Sequence, residues 1–290
     1  IILDCEVYRN YFLLSALHVE SGKAKAYEMY DGHDLDVSGI KALLQRNTTV
    51  GFNSKNYDMP VIAAAVSGYD CAGIKALSDT IIIDNVPHWQ LPITVPKTWD
   101  HIDLIELAIG SASLKIYGGR LNAPKMQDLP IEPDALISPE QREVLREYCI
   151  NDLETTALLY KHLTPQIELR ERMSEQYGSD LRSKSDAQIA EVVIRSEIER
   201  ISECEVSKPS IKKSMTFRYQ PNDTILFRSN QLRAVYDKVL ATDFRLAANG
   251  SVEMPDWLKQ ERIKIGQAEY QMGMGGLHSC EKRQFIEAGK

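Results

Sequence analysis

The stretch Ile1-Ile2-Leu3-Asp4-Cys5-Glu6-Val7 opens the chain as an apolar run that carries two acidic residues. An apolar run of this length predicts a buried β-strand. Two more strand-like segments follow, at residues 11–19 and, after a Ser-Gly turn, at residues 25–29. Three strands joined by short turns predict an antiparallel meander, with both acids on its first strand.

Downstream of the meander, helical spacing alternates with short strand patterns. Ser138 is the expected N-cap of a long amphipathic helix, and Pro165 is expected to end it. Strands followed by alternating helices and strands predict an α/β fold whose mixed sheet is flanked by helices. The predicted elements are a helix over residues 34–45, a strand over 48–52, a helix over 56–66, a strand over 101–104 and the long helix over 139–163.

The character of the chain changes beyond Pro165. Residues 166–176 and 185–203 are predicted to form charged helices, and residues 261–272 a strand that runs into a glycine-rich segment. We therefore predict a first domain over residues 1–164 and a smaller, mostly helical α+β region over residues 165–290.

Composition narrows the class of protein. The chain has 290 residues, of which 43% are hydrophobic and 26% charged, and this predicts a folded protein with one large or two smaller domains. No run approaches the ~20 apolar residues of a membrane span, so no membrane association is expected. The five cysteines are scattered and form no Cys-x-x-Cys pair, which indicates reduced thiols and argues against zinc.

Acidic residues are concentrated in the first domain. Residues 1–164 hold 14 Lys and Arg against 22 Asp and Glu, within a net charge of −7 for the chain. Overall charge therefore does not predict nucleic-acid binding, but an acidic region suits a site for divalent cations. Asp4 and Glu6 are two residues apart on a strand, so their carboxylates face the same side and repel each other. A hard cation such as Mg²⁺ or Mn²⁺, which prefers oxygen ligands, would relieve that repulsion.

Two further segments supply acids at suitable positions. Asp58 lies near the start of a predicted helix, where it could cap the helix or reach a metal ion. Tyr148 and Asp152 are four residues apart in the long helix and so share one face. Taken singly, each acid could be structural, but the three segments occur together and in order. The long helix is expected to pack inward on an apolar stripe formed by Val144, Leu145, Ile150 and Leu153.

This combination of motifs resembles the DEDD superfamily of 3′→5′ exonucleases, in its tyrosine subclass, which has a ribonuclease-H-like fold. Asp4 and Glu6 match the first motif of that superfamily. Asp58 matches the second motif, and Tyr148 with Asp152 the third. The resemblance covers residues 1–163 and implies a metal-dependent hydrolase that releases nucleoside 5′-monophosphates, with two Mg²⁺ or Mn²⁺ ions as cofactors.

The resemblance also implies a role for each residue. Asp4 would touch both ions, and Asp58 would hold the second ion. Glu6 and Asp152 would hold the ion that carries the attacking water. Tyr148 would orient that water, because a tyrosine with a free pKa of about 10 is a poor base.

Within the superfamily, the chain looks like the N-terminal proofreading region of phage-type family B DNA polymerases. Asn53 and Tyr57 match residues that contact the 3′-terminal nucleotides in that family. Ser113 and Leu114 match a motif that binds the single strand. Lys125 corresponds to a phosphate-binding catalytic lysine, although the hydrophobic residue after it comes one position late.

The implied partner is the 3′ end of a single-stranded DNA, and a polymerase domain in the same parent chain is a possible second one. Residues 270–278 faintly resemble the Tyr-x-Gly-Gly motif that joins the two domains of such polymerases, while Lys282 and Arg283 could contact phosphate or simply be solvated. The catalytic motif of the polymerase is absent, so this chain alone is not expected to polymerise. The expected location is the cytoplasm of a bacterial or phage-infected cell.

Two other interpretations stay open. A stand-alone exonuclease acting on DNA or RNA would carry the same residues, because nothing in the sequence shows what would sense a 2′-hydroxyl. A non-catalytic nucleic-acid-binding module would bind without metal, although the intact acids argue against it. On the strand over residues 101–104, Asp103 is expected to be a hydrogen-bonded structural acid, and His101 would replace Tyr148 only if the subclass were different.

Overall fold

The N-terminal apolar run forms strand β1 (Ile2–Tyr8), which pairs antiparallel with β2 (Tyr11–Leu17). Strand β2 pairs antiparallel with β3 (Ala24–Tyr30), so the predicted meander is confirmed. Two short strands, β4 (Thr49–Gly51) and β5 (His101–Asp103), extend the sheet beyond β1 and run parallel to it. The result is a mixed five-stranded sheet with the order β3-β2-β1-β4-β5.

The computed structural model describes residues 1–108, 110, 112–207, 215–222, 224, 226–247, 251–273 and 276–280. These residues belong to two compact units, Ile1–Val206 and Ser207–Lys290. The division therefore falls further along the chain than the predicted boundary at residues 164 and 165. Across the described ranges, no helix has both the length and the apolar character needed to cross a membrane.

Helices cover both faces of the five-stranded sheet, which confirms the predicted α/β class. Leu3, Cys5 and Val7 of β1 pack in one cluster with the first three helices. Ile2 and Tyr8 of β1 pack on the other side, in clusters with the fourth and fifth helices. The helices of this unit are α1 (Val37–Arg46), α2 (Asp58–Val66), α3 (Cys71–Ile82), α4 (Leu114–Arg120), α5 (Pro139–Tyr177) and α6 (Asp186–Ser202).

Strands β1 and β4 separate after one paired position, Ile2 with Val50. Strand β4 ends at Gly51, where an added Cβ would lie 2.5 Å from the Ser54 side chain, so the tight turn that follows needs glycine. The chain then passes through Asn53, whose φ of 57° lies in the left-handed region that asparagine tolerates. The separation leaves a gap beside β1 near the carboxyl ends of the parallel strands, a common place for ligands in α/β sheets.

Helix α5 continues through Pro165, so the break predicted at this residue is wrong. A proline inside a helix removes one backbone hydrogen bond and crowds the preceding turn. Here Leu163 and Ile167 lie on either side of the proline and are buried in one cluster. That burial stabilises the helix on both sides of the proline and offsets the loss.

The buried side of α5 also differs from the predicted stripe. Leu145 and Leu153 are buried as expected, but Val144 and Ile150 are exposed. The core-facing residues follow a four-residue spacing through Leu145, Cys149 and Leu153, and the other two apolar residues lie off that line.

The second unit contains two three-stranded antiparallel sheets and two helices in its described part. The predicted strand over residues 261–272 is instead a hairpin, because the chain turns at Gly266, whose φ is 64°. Met274, Gly275, Lys282 and Arg283 lie outside the described residues. The elements are β6 (Thr216–Arg218), α7 (Asn230–Ala241), β7 (Asp243–Leu246), β8 (Val252–Glu253), α8 (Asp256–Gln260), β9 (Ile263–Ile265), β10 (Ala268–Gly273) and β11 (Gly276–Ser279).

Candidate active site

The gap beside β1 opens into a cleft of about 500 Å³. The predicted acids lie together in this cleft. Asp4 and Glu6 enter it from β1, where they alternate with the core-facing Leu3, Cys5 and Val7. Asp58, the first residue of α2, enters it from the β4–α2 connection. Tyr148 and Asp152 enter it from α5. Three segments that are distant in sequence therefore contribute to one site.

The acids differ in how they are held. Asp58 is 5% exposed, and its Oδ1 accepts a hydrogen bond from the Cys5 backbone N–H at 3.1 Å. Glu6 is 8% exposed, yet no hydrogen bond or ion pair to its carboxylate occurs among the described residues. Glu6 lines the cleft, so its carboxylate is free to bind a positive ligand there.

Asp4 is held by a cysteine that the sequence analysis did not single out. The Cys149 thiol donates to Asp4 Oδ2 at 3.4 Å and lies 3.7 Å from the Asp4 carbonyl oxygen. Cys149 itself is fully buried against the apolar residues of α5 and β2. Its only signal in the sequence is its place between Tyr148 and Asp152.

Burial raises the pKa of every acid in the cleft, and repulsion from other carboxylates adds to this effect at Asp4, Glu6 and Asp58. Burial is the largest cause for Asp4, whose pKa lies well above its usual range, and the charges of Asp58 and Glu6 add to it. Burial, followed by the charge of Asp152, raises the pKa of Glu6 to about 8. Burial raises the pKa of Asp58 to about 7 and also raises that of Asp152.

The donor chemistry of the cleft fits hard divalent cations. All four acids offer oxygen atoms, the donors that Mg²⁺ and Mn²⁺ prefer. A cation among them would lower the pKa values that crowding raises and would give Glu6 the partner it lacks. The residues that could hold such ions are Asp4, Glu6, Asp58 and Asp152.

Tyr148 and Asp152 share one face of α5, as predicted. Interaction with the neighbouring Tyr148 side chain holds the pKa of Asp152 down against the effect of burial. Burial, followed by the charge of Asp152, raises the pKa of Tyr148 above its usual value. Tyr148 therefore stays protonated at neutral pH and acts as a hydrogen-bond donor.

Asn53 and Tyr57 line the wall of the cleft opposite α5. The Asn53 side chain accepts a hydrogen bond from Asn56 Nδ2 at 2.8 Å, and Asn56 Oδ1 lies 2.9 Å from His88 Nδ1. The Tyr57 hydroxyl lies 2.9 Å from the hydroxyl of Ser78 on α3. Both predicted contact residues thus line the cleft and are fixed by neighbours.

Ser113, Leu114 and Lys125 are not among the residues that line this cleft. Leu114 and Lys125 border a small adjoining cavity together with Asp152, while Ser113 is the exposed N-cap of α4. The lysine whose charge lowers the pKa of Asp152 is Lys115, which also forms an ion pair with Asp128 at 2.7 Å. No role was predicted for Lys115 from the sequence.

Asp103 and His101 have structural roles at the edge of the site. Asp103 accepts hydrogen bonds from three backbone N–H groups, those of Asn53, Lys55 and Ile105, at 2.8–3.1 Å, so the expected structural role is confirmed. Burial lowers the pKa of His101 to about 3, and both of its ring nitrogens are hydrogen-bonded to hydroxyl groups. His101 lies away from the acids and does not take the place of Tyr148.

The remaining wall of the cleft was not predicted. It is formed by the end of α3 and the segment that follows, and it is largely apolar. The run of three isoleucines at residues 81–83 marks this wall in the sequence, but an apolar run gives no sign of whether it faces a core or a cleft. The lining residues are Ile81, Ile82, Asn85, Val86, Pro87 and His88.

No protein-family model, curated protein or solved structure matches this chain. The chemistry and geometry of the cleft, together with the motifs that its residues form, are therefore the evidence for function.

Proposed function

We propose that this chain is a metal-dependent 3′→5′ exonuclease that hydrolyses the terminal phosphodiester bond of single-stranded DNA. The observation that carries the proposal is the convergence of four acids on one cleft beside Tyr148. Such crowding is unfavourable in the free protein, because burial raises the pKa of each acid and like charges raise those of Asp4, Glu6 and Asp58 further. Acids with raised pKa values in a cleft are typical of catalytic and metal-binding sites.

The strand order supports a ribonuclease-H-like fold as the finer description of the first unit. Three antiparallel strands are followed by two strands that run parallel to β1. The first acid pair lies on the central strand β1, and the second acid follows the next parallel strand. This is the arrangement that the resemblance to DEDD exonucleases implies.

Asp4, Glu6, Asp58 and Asp152 would hold two Mg²⁺ or Mn²⁺ ions. When bound, such ions activate the attacking water and stabilise the negative charge that develops on the phosphate. Within the chain, the Cys5 N–H fixes the Asp58 carboxylate, and the Cys149 thiol fixes that of Asp4. The Tyr148 hydroxyl stays protonated beside Asp152, and we propose that it orients the water from there.

The opposite wall would position the substrate. Asn53 and Tyr57 are held by hydrogen bonds and face the acids, so they are placed to contact the terminal nucleotide. The apolar residues at the end of α3 would exclude water from the other side of that nucleotide. A cleft of about 500 Å³ lies in the size range of small-molecule sites, which suits the end of a single strand better than a duplex.

Following the resemblance, we propose a proofreading role in the cytoplasm of a bacterial or phage-infected cell. The exonuclease would be part of a phage-type DNA polymerase, with the polymerase domain in the same parent chain. A stand-alone exonuclease would have the same cleft, so the two roles differ in partner and not in chemistry.

The proposal is tested with a single-stranded DNA oligomer labelled at its 5′ end. The chain is incubated with the oligomer and Mg²⁺ or Mn²⁺, beside an Asp4→Ala/Glu6→Ala double variant and a sample with chelator. We expect a ladder that shortens from the 3′ end, and we expect the variant and the chelator to abolish it. A matched RNA oligomer and a blunt duplex measure the preference for DNA and for single strands.

Retained binding of the oligomer without degradation in either metal would overturn the exonuclease proposal. It would favour a non-catalytic nucleic-acid-binding module, whose binding would not change on removal of metal. Cleavage that persists in the double variant would place the activity outside the cleft.

A further inference from the structure

The first acid pair has a sulfur donor beside it. Cys149 Sγ lies 3.4 Å from Asp4 Oδ2, and the donor atoms of Asp4, Glu6 and Cys149 all lie within 4.8 Å of one another. The three residues come from two elements, because β1 carries the acids and α5 carries the cysteine. A Cys-x-x-Cys pattern could not have revealed this set, because its members are not neighbours in sequence.

Glu6 gives an independent sign that this set needs a ligand. The side chain is more than nine-tenths buried and lines the cleft, and no hydrogen bond or ion pair reaches its carboxylate within the described part of the chain. Asp4 and Cys149, by contrast, are hydrogen-bonded to each other. The unpartnered oxygen atoms of Glu6 therefore lie where a cation would be bound.

The spacing of the three donors suits a small cation that accepts sulfur. In the tetrahedral geometry that Zn²⁺ prefers, donors at about 2.0–2.3 Å from the ion lie about 3.3–3.8 Å from one another. Donors that lie within 4.8 Å of one another therefore reach this spacing with side-chain shifts of up to about 1 Å. Mg²⁺ accepts oxygen and avoids sulfur, whereas Zn²⁺ and Cd²⁺ accept both.

We propose that Asp4, Glu6 and Cys149 form a site for a thiophilic divalent cation, Zn²⁺ or Cd²⁺, that competes with the hard ions. On binding, the metal–sulfur bond forms and the thiol proton passes to solvent. The bound ion ties Asp4 and Glu6 to Cys149, so neither acid is free for Mg²⁺ or Mn²⁺. The resulting inhibition rests on the proposed function, but the binding itself does not.

Binding is measured with Cd²⁺ alone, because a cadmium–thiolate bond gives an ultraviolet charge-transfer absorbance. We expect the metal-free chain to show this band on titration and the Cys149→Ser variant to lose it. Cys5→Ser is the matched control, since Cys5 is also a buried thiol beside an acid, Asp58, but lies outside the donor set. The Cys5→Ser variant keeps the band.

A second variant keeps the proposal testable if Cys149→Ser does not fold. Glu6→Gln keeps the thiol but removes one charged donor, and we expect it to weaken Cd²⁺ binding by about 10-fold or more. A band that survives in Cys149→Ser, or an affinity unchanged in Glu6→Gln, overturns the proposal.

Activity is a separate measurement. With an active exonuclease, Zn²⁺ or Cd²⁺ added to the Mn²⁺-dependent reaction should inhibit the wild type more strongly than Cys149→Ser, each relative to its own uninhibited rate. A chain without nuclease activity that still shows the cadmium band would overturn the proposed function and leave this site standing. An active chain that shows no cadmium band would overturn this metal site and leave the proposed function standing.

Discussion

Two buried acids near the same end of the sheet, Asp103 and Glu6, are held in opposite ways. Asp103 accepts three hydrogen bonds from backbone N–H groups at 2.8–3.1 Å. Glu6 is buried to a similar degree, but no described group of the chain bonds to it. Burial alone therefore does not distinguish a structural acid from a functional one. The distinction lies in whether the chain supplies the partner.

The partners of Asp103 explain what it does. Its carboxylate holds the backbone at Asn53 and Lys55, in the turn that separates β4 from α2. That turn carries one wall of the cleft. Asp103 thus shapes the site from outside it, whereas Glu6 lies within it, where we propose that a cation binds. Substitutions in and around the cleft, and a change of pH, test that contrast.

Glu6→Gln should abolish most of the proposed exonuclease activity. Metal ions supply several kcal/mol of charge stabilisation, so loss of a ligand should lower the rate by about 10³-fold or more. The same substitution should leave the metal-free fold about as stable as the wild type, because it replaces a carboxyl that no described group of the chain bonds to with a neutral amide of the same shape. The labelled-oligomer assay measures the rate, and thermal unfolding in chelator measures the stability of the metal-free fold. A fall in both the rate and the stability would show that Glu6 is a structural acid like Asp103.

Tyr148→Phe should lower the rate by about 10²-fold, because the proposed role is orientation of the water by a hydrogen-bond donor. The fold and the affinity for divalent ions should change little, since the ring is retained. Single-turnover rates with the metal at saturation give the measurement. A rate equal to that of the wild type would remove Tyr148 from the proposed mechanism and leave it as a wall of the cleft.

Asp103→Asn should act mainly on stability. The amide can keep one acceptor oxygen but turns an N–H group towards one backbone donor, so the free energy of unfolding should fall by about 1–3 kcal/mol. The rate at saturating metal should fall much less than in Glu6→Gln. Denaturant unfolding and the oligomer assay, compared for the two variants, show whether the contrast holds.

The stability of the metal-free chain should fall as the pH rises towards 8. The pKa values of Glu6, about 8, and Asp58, about 7, are raised above those of the unfolded chain, so the folded state binds protons that the unfolded state releases. Stability from these groups is complete below about pH 4 and is lost as the pH passes through about 7 to 8. Thermal unfolding in chelator over this range measures it. Added Mn²⁺ should stabilise the chain most at the upper end, and a flat profile would contradict the raised pKa values.

The smallest predicted effect is a difference between the substitutions of Lys115 and Lys125. Lys115 lowers the pKa of Asp152, whereas Lys125 is exposed at the border of a small adjoining cavity. A surface charge contributes up to about 1 kcal/mol, so Lys115→Ala should weaken the rate or the binding of DNA by about fivefold. Lys125→Ala should change them less. The reverse order would restore Lys125 to the role that the resemblance implies.

The sequence predicted those features that depend on local spacing. Asp4 and Glu6 share a strand face because they are two residues apart, and Tyr148 and Asp152 share a helix face because they are four apart. The meander and the mixed sheet followed from runs of apolar residues between turns. The convergence of these segments on one cleft came from the resemblance and from the order of the motifs.

Features that depend on tertiary contacts were not predictable. Pro165 is a helix breaker by its own chemistry, and only the burial of Leu163 and Ile167 lets α5 continue. Cys149 became relevant because α5 lies against β1, which no periodicity reveals. The wall after α3 looked like any apolar run, and the turn at Gly266 was hidden in a segment with strand-like composition.

The early separation of β1 from β4 has a consequence for how this chain can vary. A longer β4 would continue alongside β1, and its carbonyl groups would take the Cys5 N–H that Asp58 now accepts. The added strand would fill the cavity with main chain and move α2 away from the acids. Insertions in the β4–α2 connection should therefore be tolerated far less than substitutions on its outer surface.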